Sequence, residues 1–422
     1  MRFSKFAERF TSHSGTRQLM DDLGQLQHGD LEILNLGGGN PSRIPEVHDW
    51  FGNKLRELAT TRELDNTFAA YDSPQGNQPF ISAFARFLTA HCGWPIGAPN
   101  VLCTAGSQAS FFLLFNAFSG VNTAGEKRRI LLPQMPEYIG YSDLCLEADG
   151  IVSVPSKITL TGDHRFRYSL DTEALEQADG TVGAICISRP TNPTGNAISN
   201  TDLEWLLRLA EARDIPLILD NAYGNPLPGI LFPPELSPPR WSKHLVACFS
   251  LSKLGLPGLR TGMVVADEAL IDVLISANAT LALANNSLGA RLVLDLLADD
   301  QLTVFANQII RPFYATKSRQ AIAYCDAAFA GLDYRLHESD GAIFLWVWFP
   351  GLPITAQALY QRLKRRGVLV IPGHHFGPGH RGASKHLAEC IRISYAQPDA
   401  TLQRGIEVIA EEVRAAYAAG QQ

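Results

Sequence analysis

A lysine with a second cation close by follows an apolar run in this sequence. The run His244–Phe249 predicts a buried strand, and Lys253 stands just past its end, preceded by Ser250 and Ser252. Arg260 follows seven residues later. Open α/β sheets bind ligands at the carboxyl ends of their strands. The segment therefore predicts an amine that forms a Schiff base beside a phosphate-binding group, although alone it would equally fit a surface lysine.

Two other predicted strands end in polar side chains. Pro216–Asp220 ends in a carboxylate with Tyr223 close behind, and Thr181–Ser188 runs into a turn that contains Asn192. Because parallel strands end at one edge of a sheet, we expect these groups to meet Lys253 there.

A fourth predicted strand, Val101–Thr104, leads through Gly106, Ser107 and Gln108 into an apolar helix. Free backbone N–H groups and the positive end of a helix make such a turn a site for an anion. The alternative is a plain serine cap. The turn lacks the glycine pattern of nucleotide loops, so the phosphate need not belong to a nucleotide.

Strands alternate with helices throughout residues 95–265, which predicts a mostly parallel sheet with helices on both faces. From about residue 290 long helices and a few strands predict a smaller α+β unit. We expect a large domain over residues 60–300, and a small domain made of residues 1–59 and 301–422. Residues 1–30 are polar and are expected to be helical.

Composition excludes several classes of protein. The 422 residues are 46% hydrophobic and carry a formal charge of −6 without a basic block, which argues against nucleic acid as a partner. We find neither a secretory signal nor an apolar run long enough to span a membrane. Seven dispersed cysteines are typical of reduced thiols in a cytoplasmic protein.

The order of these motifs resembles the fold-type-I pyridoxal 5′-phosphate (PLP) enzymes of the aspartate aminotransferase superfamily. The shared motifs are Asn-Pro-Thr-Gly from Asn192, Asp-x-x-Tyr from Asp220 and Ser-x-Ser-Lys ending at Lys253, and the likeness extends from Gly37 to Tyr395. It implies a mostly parallel seven-stranded sheet in the large domain and a smaller α+β domain. In many members of this superfamily the lysine and the phosphate-binding arginine are one residue further apart than Lys253 and Arg260 are here. Branches of the superfamily differ in this spacing.

The resemblance implies a role for each cofactor residue. Lys253 would form the internal Schiff base and act as general base, Asp220 would keep the pyridine nitrogen protonated, and Tyr223 would bind the phenolic oxygen. The other cofactor residues implied are Asn192 at that oxygen, Tyr138 on the ring face, and Gly106, Ser107, Gln108, Ser250 and Arg260 at the phosphate. It further implies cis bonds at Asn192–Pro193 and Met135–Pro136.

Substrate and subunit contacts are implied in the same way. Arg392 would bind the substrate α-carboxylate with the backbone of Gly39, and Asn192 would lie beside it. Tyr71 would reach the phosphate of a neighbouring subunit, which implies a homodimer with shared active sites. Structural alternatives remain: core packing for Tyr138, an ordinary turn for Tyr71 and a structural partner for Arg392. No metal is expected at His374, His375, His380 or His386, which we place at the substrate entrance.

Whole motifs, such as Pro-Glu-Tyr-Ile-Gly-Tyr from Pro136, resemble one bacterial branch of the superfamily. This implies ping-pong amino transfer between L-valine, or a similar neutral amino acid, and pyruvate. The stretch Ala279–Ala284 offers no second cation for a distal carboxylate. A PLP-dependent C–S β-lyase would share every cofactor residue. A DNA-binding regulator would need a basic module, which the residues before Gly37 do not supply, and a non-catalytic binding protein would not need both Lys253 and Asp220.

Overall fold

The computed structural model describes residues 33–178, 180–298 and 300–420, together with residues 2–4, 7, 8, 10 and 21. Most of the helix expected over residues 1–30 lies outside the described residues, so that expectation stays a prediction. The first strand of the described chain is the two-residue strand Leu34–Asn35.

The strands follow one another along the whole described chain. They are β1 (Leu34–Asn35), β2 (Val101–Thr104), β3 (Gly120–Val121), β4 (Lys127–Leu132), β5 (Ile151–Ser153), β6 (Lys157–Gly162), β7 (Arg165–Ser169), β8 (Val182–Ser188), β9 (Leu217–Asp220), β10 (Leu245–Ser250), β11 (Gly262–Val265), β12 (Arg335–His337), β13 (Phe344–Trp348), β14 (Val368–Leu369), β15 (Ile371–Pro372) and β16 (Cys390–Ser394).

The α-helices of the described residues from 33 onward are α1 (Pro45–Leu58), α2 (Arg62–Ala69), α3 (Gln78–Cys92), α4 (Ser107–Phe118), α5 (Thr172–Glu176), α6 (Asn200–Ala212), α7 (Glu268–Ala282), α8 (Leu288–Ala298), α9 (Gln301–Val304), α10 (Arg311–Ala328), α11 (Ala356–Arg365), α12 (Lys385–Ala388) and α13 (Asp399–Gly420). Short 3₁₀ segments span Ala98–Asn100, Ile139–Tyr141, Ser252–Leu254, Pro257–Leu259 and Gly373–Phe376, and a π-helical segment spans Phe305–Ile310.

The larger sheet has the strand order β2-β11-β10-β9-β8-β4-β5, and the short β3 pairs with the start of β4. Strands β4, β5, β8, β9 and β10 are parallel, whereas β11 is antiparallel to both of its neighbours. The prediction of a mostly parallel α/β sheet is therefore confirmed. All residues of β2, β9 and β10 are buried, as expected for strands covered by helices on both faces.

A second sheet has the order β15-β16-β13-β12-β7-β6. Its strands β6 and β7 come from residues 157–169, in the middle of the chain, and β7 pairs in parallel with β12. We did not foresee this pairing from the sequence. The division of the chain at residues 60 and 300 stays a prediction.

Helix α3 shows how local sequence positions a covering element. The side chain of Asn77 caps it by accepting a 3.2 Å hydrogen bond from the N–H of Phe80, and Gly93 ends it in a left-handed conformation with φ of 67°. Phe84, one turn after Phe80, is buried against Phe249 of β10 with ring centroids 5.4 Å apart. The helix thus packs against the strand that leads to Lys253.

The cis proline expectations have mixed outcomes. Met135–Pro136 is cis as predicted, but the prediction for Asn192–Pro193 is wrong, because the cis bond of this turn lies at Arg189–Pro190. Asn192 still reaches into the site, since its side-chain oxygen accepts a hydrogen bond from Arg392.

Gly183 in β8 tests how tightly α4 packs on the sheet. A Cβ at this position would lie 2.0 Å from the carbonyl oxygen of Phe118, so we expect Gly183→Ala to lower the free energy of unfolding by about 1–3 kcal/mol. Urea denaturation followed by circular dichroism measures the change. The control is Gly162→Ala, where a Cβ would meet nothing within 4 Å. Equal loss of stability in the two variants would contradict this packing.

Candidate active site

A cavity of about 500 Å³ lies at the carboxyl ends of β8, β9 and β10, which contribute Ser188, Asp220 and Ser250 to its wall. The sequence-predicted residues that line it are Gly39, Ser107, Gln108, Tyr138, Asn192, Asp220, Tyr223, Ser250, Lys253, Arg260 and Arg392. Residues of the wall that the sequence analysis did not single out for a site include Asn35, Ser188 and Ala222. Most of the predicted site residues thus lie around one cavity at the ends of these strands.

Lys253 lies in the 3₁₀ segment after β10, and its Nζ donates a 2.6 Å hydrogen bond to the carbonyl oxygen of Gly39. Nζ is 5.4 Å from the ring centroid of Tyr223. Burial, together with the charges of Arg392 and Arg260, lowers the pKa of Lys253 to about 8 against the attraction of Asp220. The amine therefore releases its proton more readily than an exposed lysine does and is suited to attack a carbonyl carbon.

Asp220 ends β9 inside the protein. Its Oδ2 accepts a 2.7 Å hydrogen bond from the hydroxyl of Tyr141, and its Oδ1 accepts a 3.0 Å bond from the N–H of Ala222. Burial raises the pKa of Asp220 to about 6, although both hydrogen bonds and Lys253 lower it. The sequence analysis gave no role to Tyr141, but it lies in the quoted Pro-Glu-Tyr-Ile-Gly-Tyr motif, and spacing alone does not show which tyrosine contacts the carboxylate.

Arg392 is a buried guanidinium on β16. Its Nη1 donates to Asn192 Oδ1 at 2.7 Å and its Nη2 donates to the carbonyl oxygen of Gly37 at 2.6 Å, while the aromatic ring of Phe344 lies 4.0 Å from the guanidinium carbon. Its Nε is buried without a hydrogen-bond partner. Burial lowers the pKa of Arg392 to about 10, so the group stays charged at neutral pH.

No carboxylate of the described residues forms an ion pair with Arg392, and both of its acceptors are neutral oxygens. A buried charge without a counter-ion is costly, and a planar guanidinium matches the two oxygens of a carboxylate. The cavity is thus prepared for a ligand that carries a carboxylate.

Another part of the cavity wall combines a helix start with a second guanidinium. Gly106, with φ of 92°, precedes α4, and a Cβ there would lie 2.4 Å from Nη2 of Arg260. Gly262 allows an equally close approach, because its Cβ would lie 2.6 Å from the backbone nitrogen of Ser107. Glycine at both positions therefore brings Arg260 against the first turn of α4, where N–H groups and the guanidinium can bind a phosphate.

Aromatic side chains also line the cavity. Tyr138 lies edge-on to Tyr141 with centroids 5.2 Å apart, and Tyr223 lies edge-on to Phe344 at 6.1 Å. Burial raises the pKa values of Tyr138 and Tyr223, so both phenols are neutral at pH 7. The residues present thus fit a flat heterocycle that carries a phosphate and an aldehyde.

Some predicted residues lie elsewhere. Gly106 stands behind the wall that Ser107 forms, and the Tyr71 side chain is 85% exposed rather than in the cavity of its own chain. The wall residues do not include His374, His375, His380 or His386, so the expectation that they border the substrate site gains no support. His386 instead accepts or donates a 2.5 Å hydrogen bond with the hydroxyl of Tyr168.

Among the described residues, no group of three or more histidine, cysteine, aspartate or glutamate side chains is arranged to hold a metal ion. No helix of these residues is long and apolar enough to cross a membrane.

Comparison with known proteins identifies the class. The family "aminotransferase class I and II" matches residues 32–409, and the chain belongs to it. Enzymes of this family depend on PLP, so the protein is a PLP-dependent transaminase that acts on amino acids and 2-oxo acids. The cavity with Lys253, Asp220 and Arg392 agrees with that class.

Within the family, the chain is similar to valine–pyruvate aminotransferase of Escherichia coli K12, at 40% identity over 99% of both chains. The crystal structure of an amino-acid aminotransferase from Psychrobacter arcticum matches with a TM-score of 0.95 and 40% identity over 99% of both chains. That of valine–pyruvate aminotransferase from Salmonella typhimurium matches with a TM-score of 0.87 and 38% identity, over 96% of this chain and 99% of the other.

The effect of the Arg392 charge on the pKa of Lys253 should be measurable. Because Arg392 lowers the pKa of Lys253, we expect Arg392→Leu to move it above about 8. Trace acetylation of the apoenzyme across a pH series, followed by peptide mass spectrometry, gives the midpoint for this lysine. Arg208→Leu, at a position 60% exposed on α6, serves as control and should leave the midpoint unchanged. An unchanged midpoint in Arg392→Leu would show that the two groups do not interact.

Proposed function

We propose that the protein is a valine–pyruvate aminotransferase, which transfers the amino group between L-valine, or a similar neutral aliphatic amino acid, and pyruvate by a ping-pong mechanism. The products are 3-methyl-2-oxobutanoate and L-alanine. The observation that carries the proposal is the uncompensated guanidinium of Arg392 in the same cavity as the Lys253 amine. The names of the relatives from E. coli and S. typhimurium support this substrate pair.

PLP would bind in the cavity through the residues described above. Lys253 would bind its aldehyde carbon, Asp220 would face its ring nitrogen, and Tyr223 would contact its phenolic oxygen. The remaining contacts would come from Asn192 at that oxygen, Tyr138 at the ring face, and Gly106, Ser107, Gln108, Ser250 and Arg260 at the phosphate. The chemistry that PLP supplies when bound is an aldehyde that takes the amino group and a ring that accepts electrons from the substrate Cα.

Lys253 would move the substrate proton. With its pKa lowered to about 8, the amine is a base close to the working pH, and a base of that strength can take a proton from Cα and return it elsewhere. Asp220 would favour a proton on the nitrogen that it faces, because an ionised carboxylate stabilises an adjacent positive charge. Tyr141, through its 2.7 Å hydrogen bond, would hold that carboxylate in place.

Arg392 would bind the α-carboxylate that all substrates share, with the backbone of Gly39 nearby. The cations of the described cavity wall are Lys253, Arg260 and Arg392, and each has a role that leaves no charge for a distal carboxylate. Aspartate and glutamate should therefore be poor substrates. Neutral side chains that differ by one methylene would differ by only about 1–3 kcal/mol, so several amino acids should react.

We further propose a cytoplasmic homodimer with shared active sites. Tyr71 and Phe68 are 85% and 71% exposed, an unusual exposure for two large side chains that are close in sequence. Leu281 and Leu283 are exposed as well, and their segment is joined to that of Tyr71 by a hydrogen bond from Ser287 to Asp72. A second subunit would cover these groups, and Tyr71 would then reach the phosphate of that subunit.

Half-reaction spectra test the substrate class. Purified holoenzyme mixed with single amino acids should lose the absorption of the aldehyde form with valine, alanine and 2-aminobutyrate, and respond at least tenfold more weakly to aspartate and glutamate. Lys253→Ala should give no turnover. Pyruvate released from a cysteine-type substrate without an amino acceptor would instead indicate a β-lyase, and preference for aspartate would contradict the proposed side-chain pocket.

Subunit hybrids test the shared site. Lys253→Ala subunits and subunits with Tyr71→Ala should each be nearly inactive alone, whereas their mixture should regain activity, because one hybrid site then has both residues intact. Subunit exchange is verified with two affinity tags. If exchanged hybrids stay inactive, Tyr71 does not act across the interface.

A further inference from the structure

Glu137 is a carboxyl group that the proposed mechanism does not use. It is fully buried in the loop before Tyr138, and its backbone N–H donates a 2.9 Å hydrogen bond to the carbonyl oxygen of Phe376. Its Oε1 accepts a 2.8 Å hydrogen bond from the N–H of Tyr138 and is paired closely with the hydroxyl of Ser188, whose N–H donates to Oε2 at 3.2 Å. One carboxyl thus connects the loop of an aromatic wall residue to the end of β8.

Among the described residues, no cation compensates a charge on Glu137. The titratable groups that act on it or that it acts on are Asp220 on β9, Tyr141 in the neighbouring 3₁₀ segment and Cys186 on β8, and none of these is basic. No ion pair to Glu137 is present among the described residues. Burial and the charge of Asp220 raise the pKa of Glu137 to about 8, against the three hydrogen bonds that it accepts. The neutral acid is therefore the main form at pH 7.

The protonation state of Glu137 decides which way the Ser188 hydroxyl points. An ionised carboxylate can only accept, so the Ser188 hydroxyl must then donate its proton to Glu137. A neutral carboxyl donates its own proton to Ser188 Oγ and still accepts from the N–H groups of Tyr138 and Ser188. The proton of Ser188 is then available to another acceptor, and Ser188 lines the cavity.

We propose that Glu137 is a positioning residue that, in its protonated form, turns the Ser188 hydroxyl into a hydrogen-bond donor toward the molecule bound beside Asp220. Loss of the Glu137 proton withdraws that donor and fixes Ser188 on the carboxylate instead. The inference rests on the proposed binding of the cofactor in this cavity. It adds to the site a serine that ends the strand adjacent to β9, where Ser188 is in register with Asp220.

Infrared spectroscopy detects the proton on the Glu137 carboxyl group directly. The holoenzyme at pH 7 should show the carbonyl stretch of a protonated carboxylic acid, which Glu137→Gln abolishes and Ser188→Ala shifts in frequency. The band should disappear as the pH rises through about 8. Wild-type protein without this band at pH 7, or a band unchanged by both substitutions, would overturn the inference.

Binding of pyridoxamine 5′-phosphate to the apoenzyme tests whether the Ser188 hydroxyl donates a hydrogen bond to the bound molecule. This probe has no aldehyde, so it forms no covalent bond with Lys253. The protonation state of the lysine therefore does not affect the measured affinity through such a bond. Wild-type affinity should fall roughly three- to tenfold, the size of one hydrogen bond, as the pH rises through about 8. Lys253 also titrates near pH 8 and remains in both variants, so the test is the difference from wild type. Ser188→Ala should bind more weakly than wild type below pH 8 and equally above it. Glu137→Gln should lack the Glu137 part of the step, because an amide does not titrate.

The two proposals fail in different ways. If the probe binds wild type and both variants with one shared pH profile, the positioning role of Glu137 is wrong while the cofactor site stands. If the probe does not bind wild type at any pH, the cofactor site is wrong and the inference falls with it. Since Ser188→Ala removes a single oxygen, it tests the hydroxyl even if Glu137→Gln does not fold.

Discussion

Burial of ionisable groups at one edge of a sheet is the constraint on which the rest of the structure depends. Lys253, Asp220, Glu137 and Arg392 all lie in the protein interior, where a charge costs several kcal/mol unless it is compensated. Burial moves the pKa of each of the four toward the neutral form. Arg392 stays charged, so a substrate carboxylate would supply the missing counter-ion. A large apolar core and helices on both sheet faces stabilise this arrangement.

Much of the fold was predictable because local physics produced it. Strands covered on both faces must be apolar throughout, so β9 and β10 appear in the sequence as uninterrupted hydrophobic runs, and their ends mark the position of Asp220 and Lys253. Helix α3 spans Gln78–Cys92, and its cap, Asn77, and its terminating glycine are local signals.

The remainder depends on contacts between distant segments. Nothing in residues 157–169 indicates that they pair with strands near the C-terminus, since an exposed alternating hairpin can join either sheet. The contacts of Glu137 and Tyr141 are not predictable from the sequence for a similar reason: both lie in a recognised motif, but their partners Ser188 and Asp220 are reached only when the loop folds over the strand ends. The cis bond was placed three residues from its true position, because both X–Pro pairs occur in the same turn.

The parallel pairing of β7 with β12 also bears on how the chain is made. Tyr168 and His337, which are joined by a hydrogen bond, are separated by 169 residues along the chain. During synthesis β7 leaves the ribosome long before β12 does. The strands from β8 to β11 emerge between the two and can pair before β12 appears. Closure of so long a loop is slow, and Phe166 and Tyr168 of β7, which are buried in the folded protein, lack their covering strand in the meantime. The late appearance of β12 therefore makes this hairpin prone to aggregation while the chain is being made.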